Sequence, residues 1–333
     1  MQPVAPSVVI VATGSDARMR SATPRALHRL CGRTLIAHVV EAVAGLEPRR
    51  LAVAIGPTDD EVAKELAGLD ADVSRVASNV RYDPCAGVLA ALGGWSDDEM
   101  DLDLDPDDDD VLVIPVSAPL LEPETVRAFH RAHRQSDAAA TALVADPAEP
   151  DAERAGVAWF VRRSLLAPAL RRTEAPELAA IAEVLSDTGH VVAVHGASAD
   201  ELIEVRDRAD LAAAEAVLRS RINRRWMRRG VTMRDPAHTY VDASVVLDVD
   251  VTLAAGVVLA GSTVVGAGSE IGPGSHLVDT RIGERCLVEQ TSSELATIGD
   301  NSRVGPFAVL APGSEIPAAT VTGPFYTAGP DAR

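Results

Sequence analysis

The sequence predicts an α/β domain built on a doubly wound, mostly parallel sheet, followed by a short parallel β-helix. Two observations carry this. Over residues 1–207, short β-branched runs alternate with helical patterns, as expected for parallel strands joined by helical crossovers. Beyond Gly230 the period changes. Val241, Leu247, Leu253, Leu259, Val265, Ile271 and Leu277 recur every six residues, the signature of hexapeptide coils. The division is therefore 1–207 for the α/β domain, 208–229 for a linking helix and 230–333 for the β-helix.

Taken in order, Ser7–Ala12 is the first strand. Thr34 caps a helix with Leu35, Val39, Val43 and Leu46 on one face. Arg50–Ile55 is a strand, Asp59 or Asp60 opens a helix, and Val73–Ala77 is a short strand. The stretch VLAALGGW is helical. Val111–Pro115 is an apolar strand of the kind buried on both faces, and Pro123 opens the next helix at its first position. Ala140–Ala145 and Gly156–Val161 are strands, PELAAIAEVL is a helix, and His190–His195 is a strand. Arg208–Arg229 is a long helix with an apolar stripe of Leu211, Leu218, Ile222 and Trp226. The arginines in its C-terminal half compensate the helix dipole and face solvent, with an anion or acidic-loop contact as the alternative. In the β-helix the apolar series continues in a second phase at Ile282 and Val288, and in a third at Ile298, Val304, Leu310 and Ile316. The breaks near Asp279 and at Thr291–Thr297 read as loops leaving the coil. Gly266, Gly272, Gly283, Gly299 and Gly305 follow apolar positions, where a tight corner needs a small side chain. The array spans about four coils and ends at GPFYTAGPDAR.

The net charge of −18 argues against a nucleic-acid partner, which needs a positive footprint. No apolar run is long enough to cross a membrane, and no signal peptide precedes the first strand. Cys31, Cys85 and Cys286 are scattered without a CxxC, which suits a reducing cytoplasm and no zinc site. Lys64 is the only lysine, so a cation set against a phosphate is almost always an arginine. Asp97–Asp110 holds ten acids in fourteen residues and reads as a solvated, self-repelling loop. A calcium site or a docking tail for a basic partner are the alternatives. His130 and His133, three apart on one helix face, read as surface histidines. His28 packs or caps locally.

The chemistry concentrates in Val8–Arg25, where an apolar strand ends in Gly14 and a polar loop with Arg18 and Arg25 follows. A parallel α/β domain delivers backbone N–H groups to a phosphate in this way. The pieces ATGSDARMRSATPRALHRLCGRTLIAHV, VIPVSAPLL, GVTMRDP and VGPFAVLAPGSEI resemble the bifunctional N-acetylglucosamine-1-phosphate uridyltransferase/glucosamine-1-phosphate acetyltransferase family. The resemblance covers most of the chain. It implies a nucleotidyltransferase-like α/β domain that transfers uridylyl to a sugar 1-phosphate with magnesium, then a left-handed β-helix that trimerises and carries acetyl transfer.

Compared residue by residue, the family pattern is broken at several points. In the phosphate loop Gly14, Arg18 and Met19 match, while Asp16 stands for the second glycine, Ala17 for threonine and Arg25 for lysine. Asp16 adds like-charge repulsion where a triphosphate would approach. In the base-recognition loop only Gly87 remains. Cys85 beside it reads as a small semi-buried residue, with a reactive thiol as the alternative. Ser117 stands for the metal aspartate, and a neutral hydroxyl is a poor ligand for a hard dication. The second metal position lies in Val205-Arg206-Asp207-Arg208, where Asp207 could ligate but Arg206 opposes a cation. Ala155-Gly156-Val157-Ala158 replaces the Gly-Tyr-Gly-Arg strand of the sugar pocket, and the short segment from there to Pro176 has no room for its far wall. Ala311 stands for an arginine of the acetyltransferase half, whose downstream residues have no counterpart.

The resemblance and its departures lead to four expectations. Gly14, Ser15, Arg18, Arg25 and Gly87 form a vestigial phosphate or nucleotide site with no catalytic residue. No magnesium or other cofactor is held. The chain forms a homotrimer through the β-helix, or assembles with an active paralogue, in the cytoplasm. Its role is that of a non-catalytic scaffold, regulator or partner, with an active nucleotidyltransferase of altered site and a nucleotide or nucleotide-sugar sensor as alternatives.

Overall fold

The structure is a computed structural model and describes residues 5–13, 17–69, 72–75, 83–95, 109–173 and 177–329. The chain divides into two compact units. The first holds residues up to His28 and Thr34–Ala214, the second Arg29–Arg33 and Glu215 onward. The division falls inside one helix, Arg208–Arg228.

In the first unit, β1 (Ser7–Val11) is followed by a two-stranded hairpin, β2 (Arg29–Leu30) and β3 (Arg33–Thr34), whose tip belongs to the second unit. Helix α1 (Leu35–Ala44), β4 (Arg50–Ile55), α2 (Asp60–Leu66), β5 (Asp72–Arg75), α3 (Pro84–Gly93), β6 (Asp110–Pro115), α4 (Pro123–Ser136) and β7 (Ala140–Val144) come next. They are followed by β8 (Ala158–Arg162), α5 (Arg163–Arg172), α6 (Ala180–Asp187), β9 (Val192–Gly196) and α7 (Arg208–Arg228). The sheet runs β5-β4-β1-β6-β8-β7-β9. All its pairings are parallel except those of β8, which runs antiparallel to β6 and to β7. The order reverses direction between β1 and β6, so the carboxyl ends of these two strands flank the switch point where ligands bind in such sheets.

Local chemistry explains the elements. Thr34 caps α1 by accepting from the Ala37 N–H, and Pro84 and Pro123 occupy first-turn positions of α3 and α4, where a missing N–H costs nothing. Strand residues alternate between two cores. Val9, Val11, Val111, Val113, Trp159 and Val161 share one core with α3, α5 and α6. On the other face Phe160 meets Phe129 of α4, with ring centroids 4.8 Å apart.

Two expectations are corrected here. The acidic run is not solvated throughout: its last two members, Asp109 and Asp110, are buried, while residues 97–108 lie outside the described set. Asp109 pairs with Arg163 at 3.0 Å and accepts from the Ser7 hydroxyl. His130 and His133 are buried too. His133 Nε2 lies 3.2 Å from Asp110 Oδ1 and its Nδ1 lies 2.7 Å from Thr141 Oγ1. Opposite charge from the helix is what lets the carboxylate leave water. The hydroxyl–imidazole–carboxylate chain has the connectivity of a nucleophilic triad, but Thr141, His133 and Asp110 are 1%, 3% and 3% exposed, so it is closed to substrate and serves the core.

In the second unit, short parallel strands stack into three sheets of five, six and five strands. Every apolar residue of the sixfold series is buried and pairs in register with its equivalents above and below, as in Leu253–Ile271–Val288–Val304. This is a parallel β-helix. Gly266 is small for lack of space: a Cβ there would lie 2.7 Å from the Gly283 carbonyl of the next coil.

Here too the structure corrects the reading. The phase breaks are not loops leaving the coil. Leu277 is followed inward by Ile282, Val288, Ser293 and Ile298, so the breaks are rungs one residue shorter, and Ser292–Glu294 is a strand in register with His276–Val278. Ser293 takes an inward place that an apolar search passes over. Its hydroxyl meets Thr280 Oγ1 at 2.8 Å. The coils number five rather than four. They start at Thr232–Met233, ahead of the sixfold series because the Pro236–His238 turn lengthens that rung, and Thr327–Ala328 adds a final strand. The C-terminal half of α7 closes the first coil, with Ile222 and Trp226 in the β-helix core and Asn223 Nδ2 donating to the Pro236 and Thr239 carbonyls. The tip of the β2–β3 hairpin joins the same unit. Cys31 N–H donates to Glu215 Oε2 at 2.9 Å, and its carbonyl accepts from Ala243 N–H. Among the described residues, no helix is long and apolar enough to cross a membrane.

Candidate functional site

The site lies at the carboxyl ends of β1, β4 and β6. The ends are tied laterally: Ala12 N–H donates to the Ala54 carbonyl and Val116 N–H to the Val11 carbonyl, each at 2.9 Å. Gly14, Ser15 and Asp16 lie outside the described residues. Thr13, just before them, is buried, and its hydroxyl finds no partner among the described residues. Helix α3 abuts it. A Cβ on Gly87 would come 2.9 Å from Thr13 Oγ1 and 3.2 Å from Ala54 Cβ, so glycine is what lets this helix reach the strand ends. The amino end of α3 is capped from within, as Asp83 Oδ1 accepts from Cys85 N–H at 2.8 Å and Ala86 N–H at 3.1 Å. Cys85 is buried, and burial with the nearby Asp83 and Glu177 charges pushes its thiol up to about 12. That is the opposite of a reactive thiolate.

Arg18 is exposed in the short turn Ala17–Met19, and Arg25 is half-buried in the turn Arg25–Leu27. Met19 is fully buried and its carbonyl accepts from Arg208 Nε at 3.3 Å, which fixes the turn against the start of α7. Asp207 caps that helix, with Oδ1 accepting from Ala209 and Asp210 N–H at 2.8 and 2.9 Å. Asp210 reciprocates by accepting from Arg206 and Asp207 N–H, a carboxylate version of the capping box. The N–H groups of Asp210 and Ala209, then the charges of Arg18 and Arg206, hold the Asp207 carboxyl below the usual value. The structure thus brings Arg18, Asp207 and Arg208 together.

Ser117 follows β6 and is buried. Its hydroxyl donates to Glu204 Oε1 at 3.0 Å, and its carbonyl accepts from Val205 N–H. Glu204 was not singled out from sequence. The available signal was its place directly ahead of Val205-Arg206-Asp207, a stretch already marked by its likeness to a ligand motif. Among the described residues, no group of three or more His, Cys, Asp or Glu side chains is placed to hold a metal. Beside Glu204, a cavity of about 380 Å³ opens at the carboxyl end of β7, walled by Val144, Val157 and Leu202 and rimmed by Asp146, Glu149 and Arg206.

The MobA-like NTP transferase domain family matches residues 8–230. The chain is 36% identical over 360 residues to the bifunctional protein GlmU of Kineococcus radiotolerans, covering 97% of this chain and 72% of that protein. It is 34% identical over 355 residues to the GlmU of Mycolicibacterium vanbaalenii, covering 96% and 71%. The chain belongs to the GlmU family. The GlmU of Streptomyces avermitilis is 32% identical over 362 residues, with 96% and 72% covered. The α/β fold is shared with a nucleotidyl transferase from Methanothermobacter thermautotroptrophicus at TM-score 0.53 and 21% identity, over 65% of this chain and 99% of that one. This GlmU homologue is thus a sugar-nucleotidyltransferase relative with a β-helix attached.

Proposed function

We propose that this chain is a non-catalytic member of the GlmU family that keeps both folds for a scaffolding, regulatory or partner-binding role in the cytoplasm. The observation that carries the reading is the end of β6. The hydroxyl of Ser117 stands where the resemblance implies a metal aspartate, and it is already donated to Glu204. At the second metal position Asp207 is engaged as a helix cap between Arg18 and Arg206. A neutral hydroxyl and a capping carboxylate beside two guanidinium charges do not fit a hard dication that bridges phosphates, so the reading involves no metal-assisted transfer. Gly14, Ser15, Arg18, Arg25 and Gly87 then mark a residual anion site. The β-helix assembles as a homotrimer or with an active paralogue.

Pyrophosphate release from nucleoside triphosphates and sugar 1-phosphates with magnesium tests the reading. No release above the buffer control is expected. Turnover that disappears in Arg18→Ala overturns it. One feature favours a second reading, an active nucleotidyltransferase with altered phosphate handling: Glu204 returns a carboxylate to within 3.0 Å of Ser117. That reading requires turnover, and requires it to fall in Glu204→Gln.

A further inference from the structure

We propose that an arginine stripe on the C-terminal half of α7 docks a short, extended acidic segment of a partner protein. The inference deepens the partner-binding reading above by giving the chemistry of the partner.

The second unit is electrically neutral, with thirteen arginines against thirteen carboxylates, so the −18 of the chain belongs to the first unit. Six of those arginines lie between Arg219 and Arg229, and no acid follows Glu215 until Asp235. Arg221, Arg224, Arg225 and Arg228 have the i, i+3, i+4, i+7 spacing that puts side chains on one helix face. Ile222 and Trp226 turn into the β-helix core, and the stripe looks away from it. Arg224, Arg225, Arg228 and Arg229 are exposed, and Arg221 is half-buried. Compensation of the helix dipole is confined to the last turn. Helix α7 ends at Arg228, so Arg221 and Arg224 lie beyond that reach. Like charges three and four residues apart repel and weaken a helix, and a bound row of carboxylates relieves that repulsion.

Geometry selects the occupant. The guanidinium carbons of Arg225 and Arg229 lie 5.6 and 5.5 Å from the Trp226 ring centroid, and a guanidinium stacked on an aromatic ring keeps its N–H edges for carboxylates. Neighbouring side chains on the stripe stand about 5–6 Å apart. Alternate side chains of an extended peptide stand about 6–7 Å apart, so acids at every second residue fall opposite successive guanidinium groups. From Arg221 to Arg228 the stripe is about 10 Å long, the span of three or four extended residues. A nucleic acid or an anionic membrane runs far past it and meets the rest of a chain that carries −18.

The test titrates the full chain against a labelled synthetic peptide of alternating aspartate and serine with five acids, read by fluorescence anisotropy. Saturable binding in the micromolar range is expected, weakening as salt rises. Arg224→Gln with Arg228→Gln is expected to weaken it about five- to tenfold, the scale of two exposed ion pairs. Arg224→Glu with Arg228→Glu is expected to abolish it, with circular dichroism unchanged. Arg234→Gln removes an exposed arginine of the same unit that lies off the helix and is expected to leave binding as it was. No saturable peptide binding, an equal loss in Arg234→Gln, or tighter binding of a thymidine oligonucleotide of equal charge or of phosphatidylserine vesicles overturns the proposal. Peptide binding that appears only when the acids of residues 97–108 are changed to amides also overturns it, by assigning the stripe to the chain's own acidic run. Turnover in the pyrophosphate assay would end the non-catalytic reading and leave this surface in place, so the two fail separately.

Discussion

Asp110 is a buried carboxylate whose charge is met by one helix. Arg134 Nη1 and His133 Nε2 each lie 3.2 Å from it and His130 Nε2 lies 3.8 Å away. Burial raises its pKa, but the His133 hydrogen bond and the charges of His133 and Arg134 outweigh burial and leave it below the ordinary 3.8. Removing a partner from such a group costs about 3–5 kcal/mol. Because Arg134 stays, His133→Ala is expected at the lower end, about 3 kcal/mol in urea unfolding. Burial, opposed by the Asp110 charge and aided by those of His133 and Arg134, holds His130 below the ordinary 6.5. A depressed folded value means that the unfolded chain binds the extra proton first, so this contribution is complete above 6.5 and is lost as pH falls below it. Asp110 behaves likewise below 3.8. Stability should therefore decline from pH 7 to pH 5, and His130→Gln should flatten that decline. An unchanged slope in the variant would remove His130 from the account.

Element by element, what could be read from sequence depended on whether a side chain advertises its surroundings. Strands β1, β4 and β6 and the starts of α1 and α4 were legible because apolar periodicity, the cap Thr34 and the first-turn Pro123 each state a local preference that packing reinforces. Helix α5 was missed because Pro168 sits inside it, and proline normally argues against a helix interior. The antiparallel course of β8 was missed because direction is set by neighbouring strands, not by composition. The buried histidines were missed because their partner, Asp110, reads as one more member of an acidic run. At the candidate site the motif positions were legible, but Glu204 was not, because its role comes from a fold contact across 87 residues. The shortened rungs of the β-helix make the same point and can be tested. Leu277→Ala removes a fully buried side chain between paired coils and should cost about 2–5 kcal/mol. Ser293→Ala in the same stack should cost about 1 kcal/mol or less, because Thr280 Oγ1 keeps its bond to the Val278 carbonyl. Equal losses in thermal unfolding would mean that the serine does more than fill its place. Asp207→Ala should lower the thermal midpoint by uncapping α7.

For the molecule as a whole, the exposed apolar surface is unevenly shared. Among the described residues the exposed large apolar side chains, Val191 apart, belong to the second unit. Val246 is 51% exposed and Val309 50%, and Val258, half-buried, points outward from another face one coil further on. Outward valines on a rigid β-helix are what a self-associating surface requires, and the homotrimer we propose would cover them. Charge opposes it: each chain carries −18, and like-charged copies repel over a Debye length of about 10 Å at 0.1 M salt. An apolar interface formed against that repulsion should strengthen as salt rises, the reverse of one held by ion pairs. Light scattering behind size exclusion should give three times the monomer mass, with a larger trimer fraction at higher salt. Val246→Asp with Val258→Asp should yield the monomer mass while leaving the circular dichroism unchanged. A wild-type chain that runs as a monomer at both salt concentrations would end the trimer reading. A trimer that weakens with salt would place its contacts on charged residues instead of these valines.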